Sequence, residues 1–304
     1  MITPHPLYPG ARVALVCASS AVPPEKLNPA LDQVRALGLE PVCYPSCYYV
    51  NRHGYFAATD AQRAQDLQAA FADDSIAGVW CIRGGYGAHR ILPLLDLDAI
   101  AGHPKYFAGY SDVTALHTAF NQCCGFVTYH TTMPSTEPEL DEYTLSYLRR
   151  ALFGPLTGPL SNPAGQRMET LHGGSAAGPL CGGNLSLLAH SMGTPWEIDT
   201  RGKILFLEDI GEENYRIDGM LTQLRNAGKF DDCAGVVLGA WTDCAPEDPE
   251  RALTLREIFD ELIVPAGKPV LADLACGHVL PTMTLPLGAR VVMDADQKAL
   301  EVTL

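Results

Sequence analysis

The sequence predicts an α/β protein built from two mixed domains, and three observations carry that reading. In the first half, strand-sized apolar runs alternate with amphipathic stretches, the rhythm of βαβ units. Between residues 154 and 180 the periodicity lapses into Gly, Pro, Ser and Asn, as in Gly154-Pro155, Gly158-Pro159 and Gly173-Gly174, which is the composition of an interdomain connection. Alternation then resumes, and 304 residues fit two domains of about 150 each. The expected division is 1–155 for an N-terminal domain, 156–177 for a linker and 178–304 for a C-terminal domain.

The elements follow in order. Residues 12–17 form an apolar strand, 24–37 a helical pattern and 39–44 a second strand. A helix over 59–72 begins with Thr59 and Gln62 spaced as a capping box and puts Ala64, Leu67 and Phe71 on one face. Strand 76–82 runs into the turn Gly84-Gly85-Tyr86-Gly87, a short helix continues through Ile91 and Leu95, and 106–109 is the next strand. The helix over 112–123 buries Val113, Leu116 and Phe120. Beyond the connection, a helix starts near Asn184 and strand 203–207 precedes a helix over 215–227. That helix turns Ile217, Met220, Leu221 and Leu224 inward. Strand 235–241, helix 253–262, strand 269–274 and a β-rich end over 282–304 complete the chain. There is no internal repeat and no low-complexity segment.

Composition narrows the function classes. Lys and Arg number 21 against 35 Asp and Glu, a formal charge of −14, so the chain offers no electrostatic footprint for nucleic acid or an anionic membrane surface. A hydrophobic fraction of 47% with interspersed charge suits a packed globule and excludes a disordered or fibrous protein. The longest apolar runs are strand-sized, far short of the roughly 20 residues that span a bilayer. The N-terminus lacks the basic and apolar regions of a signal peptide, so the expected location is the cytoplasm. Ten cysteines include no C-x-x-C spacing, which leaves a structural metal without a ligand pattern and makes most of them small buried hydrophobes in a reducing compartment.

The most informative stretch is Phe107-Ala108-Gly109-Tyr110-Ser111-Asp112, where an apolar strand passes through Gly-x-Ser into a helix with almost no loop. A serine at such an elbow projects its hydroxyl, and the amide of Asp112 at the helix start can stabilise an oxyanion. Val113 replaces the second glycine of the full G-x-S-x-G pattern, and Ser111 equally suits a plain helix cap. A serine nucleophile needs a base, and nine histidines leave that choice open. His278, in Cys276-Gly277-His278 beyond a strand end, is favoured by position; His117 suits a packing role and His130 ends a short strand. Glu208 and Asp209 end an apolar strand, where either can orient a histidine or serve as a cap or ion pair. Glu212 and Glu213 precede a helix whose N-terminus they can stabilise. Arg83-Gly84-Gly85-Tyr86-Gly87 permits close backbone approach to an anion, yet it is too short for a P-loop and lacks Lys-Ser/Thr.

Nearly end to end, the chain resembles the bacterial L,D-carboxypeptidases, the muramoyltetrapeptide carboxypeptidase family of serine peptidases. The resemblance runs through Tyr55-Phe56-Ala57-Ala58-Thr59-Asp60 with Arg63 and Asp66-Leu67, Arg83 to Gly87, Gly109 to Leu116 and Gly182-Gly183-Asn184-Leu185. It continues through Gly193-Thr194-Pro195-Trp196, Leu207-Glu208-Asp209, and Gly277-His278 with Thr284 to Gly288. It implies a flavodoxin-like N-terminal domain, similar to class I glutamine amidotransferases, and a smaller α/β C-terminal domain, with the site between them and a homodimer as the usual assembly. By the same resemblance Ser111 is the nucleophile, Glu208 the acidic member and His278 the base. Beside that triad, the Asp112 amide with an amide of Gly84 or Gly85 is expected to bind the oxyanion, Arg83 is the expected partner of the free substrate carboxylate with Tyr86 also at the substrate, and no metal or organic cofactor is implied.

The implied substrate is a murein tetrapeptide or UDP-linked muropeptide, cut between an L-centre and terminal D-Ala in peptidoglycan recycling. Relatives also include self-immunity enzymes that cleave peptide–nucleotide antibiotics with the same triad, and a catalytically silent binding protein is a third alternative. Intact Ser111, Glu208 and His278 argue against the last. The sequence departs from the family pattern at His130-Thr131-Thr132-Met133, where members commonly carry Gly-Pro after the histidine, a change in the local pocket wall.

Overall fold

A computed structural model describes residues 1–49, 55–136, 139–246 and 248–303; Leu304, the last residue of the expected β-rich end, lies outside them. The chain forms two compact units, one of Met1–Leu156 with Thr284–Leu287, the other of Thr157–Met283 with Gly288–Leu304.

The first unit runs β1 (Arg12–Val16), α1 (Pro24–Ala36), β2 (Glu40–Cys43), α2 (Asp60–Ala72), β3 (Gly78–Cys81), α3 (Ala88–Ile91), α4 (Leu97–Ala101), β4 (Tyr106–Gly109), α5 (Thr114–Ala119), β5 (Thr128–His130) and α6 (Glu142–Phe153). Strands β2-β1-β3-β4-β5 lie side by side and parallel, the flavodoxin-like order, and a late strand, Leu285–Leu287, pairs antiparallel with β5. Val13 to Val16 are fully buried, as expected for a strand covered on both faces of a parallel sheet. Helix α2 starts at Thr59, whose side chain accepts from the Gln62 amide, but the Gln62 carboxamide turns to Asp66 Oδ1 at 2.7 Å, so the expected capping box is only half formed. The helix expected after Ser111 exists as a 3₁₀ turn over Ser111–Val113, α5, and a wider turn over Phe120–Cys124 that ends on left-handed Gly125. Phe71, Phe107, Phe120 and Phe126 interlock in the core with ring centroids 4.8 to 6.0 Å apart.

The second unit contains β6 (Gly158–Pro159), β7 (Glu169–His172), β8 (Ser175–Asn184), α7 (Leu185–Ser191), β9 (Ile204–Ile210), α8 (Asn214–Asn226), α9 (Lys229–Asp232), β10 (Gly235–Thr242), α10 (Leu255–Leu262) and β11 (Val270–Ala272). After the late strand, which takes the label β12 (Leu285–Leu287), come β13 (Arg290–Asp294) and β14 (Ala299–Thr303). The sheet order is β6-β14-β13-β8-β9-β10-β11-β7, with β8 to β11 parallel and the flanking strands antiparallel. Leu185, Leu205, Leu207, Ile217, Leu221 and Leu238 are among its buried core. The stretch 156–177, expected as a linker, is corrected on this point: it contributes β6, β7 and the start of β8. Gly158-Pro159 has no strand periodicity of its own and is held by pairing with β14. Residues 284–287, expected in the C-terminal domain, belong to the first unit. Among the described residues no helix is long and apolar enough to cross a membrane.

Candidate active site

In the first unit the sheet order reverses between β1 and β3, and the segments leaving β1, β3 and β4 at their carboxyl ends form the region where such sheets gather ligands. Ser111 follows β4 with φ +62°, the left-handed region, where a side chain with a Cβ is strained by about 1–2 kcal/mol. Such outliers concentrate at functional positions. Directly beside it lies Gly84: a Cβ there would stand 3.1 Å from Ser111 Cβ and 3.3 Å from Ser111 Oγ. A methyl at this position would crowd the hydroxyl, so the bare glycine gives the turn its close approach.

The turn is pinned from below and at its far end. The Ser20 amide donates to the Gly84 carbonyl at 3.1 Å, and the Tyr86 amide donates to Ser20 Oγ at 3.1 Å. Ser20 also fills the space that a Gly85 side chain would need. The Ala88 amide donates to Asp112 Oδ2 at 2.7 Å. Burial pushes the Asp112 carboxyl above its ordinary range, against the pull of the Ser19 hydroxyl and the Ala88 and Gly87 amides. Fully buried Arg63 donates to the carbonyls of Ala18 and Gly87, the latter at 3.0 Å, and pairs with Asp60 at 2.5 Å. One cation thus ties the segments after β1 and β3 together. Burial pulls its pKa down and Asp60 opposes that.

His117 lies on α5 and donates Nε2–H to the Gly109 carbonyl at 2.9 Å, two residues before the serine. Burial lowers its pKa to about 4, so it is a neutral donor that braces the elbow. His130 is buried at the end of β5, its ring edge-on to Tyr110. In the atypical segment after His130, Thr131 Oγ1 bonds Thr284 Oγ1 at 2.7 Å, and Met133 Cε would meet a Gly84 Cβ at 3.2 Å. Arg83 is half-buried with its guanidinium on the Ala21 carbonyl. Tyr86 is exposed, its ring 5.7 Å from Phe56 and 6.1 Å from Tyr55.

In the second unit the two carboxylates at the end of β9 have different partners. Glu208, on β9, is fully buried, and its Oε2 accepts from His278 Nδ1 at 2.7 Å. Asp209 points to the opposite face of the strand. It accepts from Asn184 Nδ2 at 2.8 Å, the Ser186 amide at 2.9 Å, the Ser186 hydroxyl at 2.7 Å and the Ile210 amide at 2.8 Å. These bonds fix the junction of β8 and α7. Gly277 holds φ +125° and passes so close to Glu208 that a Cβ would lie 2.8 Å from Oε2. Thr242 Oγ1 donates to the His278 carbonyl at 2.6 Å, and the Gly277 amide donates to Thr282 Oγ1 at 3.3 Å. Glu213 precedes α8 without a side-chain capping bond, and Glu212 pairs loosely with Arg216 at 3.9 Å.

Sequence reasoning did not find Ser20, the Asp112 carboxylate, or Arg63 and His117 as braces. Ser19-Ser20 at the carboxyl end of the first strand is the signal that could have found the serine, because that end adjoins the switch in strand order. Among the described residues no group of three His, Cys, Asp or Glu side chains could hold a metal ion.

A hydroxyl on a strained elbow beside a glycine turn, and an imidazole whose Nδ1 is held by a buried carboxylate, are parts suited to acyl transfer. The protein is a hydrolase of the carboxypeptidase class. The family models described as LD-carboxypeptidase N-terminal domain and LD-carboxypeptidase C-terminal domain match residues 13–131 and 177–293, and the chain belongs to the LD-carboxypeptidase family. It is 40% identical over 298 residues to a probable murein peptide carboxypeptidase of Bacillus subtilis (strain 168), covering 97% of this chain and 92% of that protein. It is 29% identical to the microcin C7 self-immunity protein of Escherichia coli, covering 82% and 80%. Among solved structures, the muramoyltetrapeptide carboxypeptidase of Oxalobacter formigenes is similar with a TM-score of 0.81 and 29% identity, covering 96% and 97% of the two chains.

Proposed function

We propose that the protein is a serine-type carboxypeptidase that removes terminal D-Ala from a murein tetrapeptide or UDP-linked muropeptide. The observation that carries the reading is the 2.7 Å bond between His278 Nδ1 and buried Glu208. A carboxylate that accepts the Nδ1 proton leaves Nε2 as the basic nitrogen and stabilises the imidazolium once it forms. On this reading Ser111 Oγ attacks the carbonyl that joins the L-centre of the diamino acid to D-Ala, and His278 takes the hydroxyl proton. The tetrahedral oxyanion is met by the Asp112 amide and an amide from Gly84 or Gly85. His278 then protonates the departing amine, and water resolves the acyl-enzyme by the same route in reverse.

Arg83 is the proposed anchor for the substrate carboxylate, because a guanidinium recognises a carboxylate with paired donors, and Tyr86 the exposed ring beside it. The murein reading is favoured over peptide–nucleotide cleavage by the higher identity and coverage toward the murein peptide carboxypeptidase than toward the self-immunity protein. Work as a cytoplasmic homodimer in peptidoglycan recycling belongs to the same proposal. Incubation with murein tetrapeptide, read by mass spectrometry as loss of one alanine, tests it. Ser111→Ala should abolish that loss; turnover in a folded Ser111→Ala protein, or cleavage of an aminoacyl nucleotide with the tetrapeptide left intact, would overturn it.

A further inference from the structure

Away from these residues, three thiols meet where β1 and β2 end. Cys43 closes β2 opposite Leu15 of β1. A 3₁₀ turn over Pro45–Tyr48 then folds the chain back, with the Cys47 amide donating to the Tyr44 carbonyl at 3.0 Å. That turn brings the Cys47 sulfur to 3.1 Å from the Leu15 carbonyl and into hydrogen-bond contact with the thiols of both Cys43 and Cys17. The three differ in access. Cys17 and Cys47 are buried, whereas Cys43 is partly exposed and lines an open cavity of about 360 Å³ with Pro45, Tyr48 and Tyr49.

They also differ in chemistry. The bond from Cys47 lowers the Cys43 thiol to about 7, aided by Tyr48 and Arg35 and opposed by burial, while hydrogen bonds to Cys17 and Cys43 together with burial raise Cys47. The reachable sulfur is therefore the one that carries thiolate, and its neighbour keeps its proton. Burial instead pushes up the thiol of Cys123, which is exposed.

We propose that Cys43 and Cys47 form a peroxide-reactive modification site, with Cys43 as the attacking sulfur and Cys47 as the resolving one. In the first step the Cys43 thiolate forms an S–O bond to a hydroperoxide as the O–O bond breaks; with hydrogen peroxide the departing hydroxide takes up a proton and leaves as water. In the second, the Cys47 sulfur attacks Cys43, the S–S bond forms, the S–O bond breaks, and the leaving hydroxide departs as water with the Cys47 proton. Two thiols are oxidised by two electrons and one peroxide is reduced to two waters.

The test treats the full-length, reduced protein with hydrogen peroxide, blocks remaining thiols and maps tryptic peptides. Residues 36–52 form one tryptic peptide whose only cysteines are Cys43 and Cys47. It should lose two hydrogens and its alkylation, at least about tenfold faster than Cys123 is oxidised. In Cys47→Ser, Cys43 should be trapped as a sulfenic acid by a 1,3-diketone probe; in Cys43→Ser, Cys47 should stay reduced. The proposal fails if this peptide keeps both thiols while Cys123 oxidises, if Cys47 becomes linked to Cys17, or if Cys43→Ser leaves Cys47 oxidising at the original rate.

Discussion

His117 offers a quantitative test of how the elbow is held. Its imidazole is fully buried and its folded pKa is about 4, against 6.5 for the ordinary side chain. Between those values the unfolded chain binds a proton at this position that the folded protein does not, so stability must fall as pH drops through that window. Above pH 6.5 the contribution is intact; integrating the two titrations gives a loss of about 2 kcal/mol at pH 5 and about 3 kcal/mol at pH 4. His117→Gln removes the titration and keeps an amide donor that can reach the Gly109 carbonyl. Urea denaturation of both proteins at pH 7, 6 and 5 isolates the effect, because all other titrating groups are common to both. The wild type should lose about 2 kcal/mol more than the variant between pH 7 and pH 5. A difference that stays flat across that range would refute a buried neutral imidazole at the elbow.

Gly84→Ala places a methyl 3.1 Å from Ser111 Cβ and 3.3 Å from its Oγ without demanding a left-handed backbone. It should lower kcat by about 10² to 10³ while the thermal midpoint moves by no more than about 4 °C; full activity in the steady-state assay would refute the close approach. Ser111→Ala and His278→Ala should each lower kcat by about 10⁴ to 10⁶, and the double variant should be scarcely slower, whereas additive losses would show that the two do not act as one unit. Glu208→Gln should slow turnover by up to about 10⁴ in a folded protein, through the tautomer it leaves on His278. Asp209→Asn should instead cost about 1–3 kcal/mol in denaturation, because it disturbs four hydrogen bonds around β8 and α7, and loss of turnover by Asp209→Asn alone would reverse the two roles.

What the sequence carried and what it did not divide along the range of the interactions. Much of the first unit is legible because strands such as β1, β3 and β4 are buried apolar runs and α2 has a periodic face in Ala64, Leu67 and Phe71, whereas the sequence reading holds no helix at α4 or α6, and β2 is only partly buried. Ser111 could be singled out because strand, glycine and helix sit next to one another in the chain. Ser20 and Arg63 act across dozens of residues, on Gly84, Tyr86 and Gly87, and nothing beside them in the sequence marks those partners. The choice between Glu208 and Asp209 likewise rests on which face each presents. The strand at Gly158-Pro159 exists only through its pairing with β14, so reading 156–177 as connection followed from a composition that carries no periodicity. Helix α10 begins two residues later than expected, at Leu255, because Thr254 and Glu257 form a capping box that the apolar pattern hides.

The pairing of β12 with β5 carries a consequence for biosynthesis. The first sheet closes its β5 edge with Leu285–Leu287, a segment made only after almost all of the second unit. At ordinary elongation rates the roughly 150 residues between those strands take about 10–30 s to emerge. Throughout that interval the backbone of Thr128–His130 presents an unpaired edge, the feature through which nascent sheets recruit unwanted partners. A gene truncated after residue 156 would leave the same edge bare for good, so the first unit produced alone should aggregate where the whole chain does not.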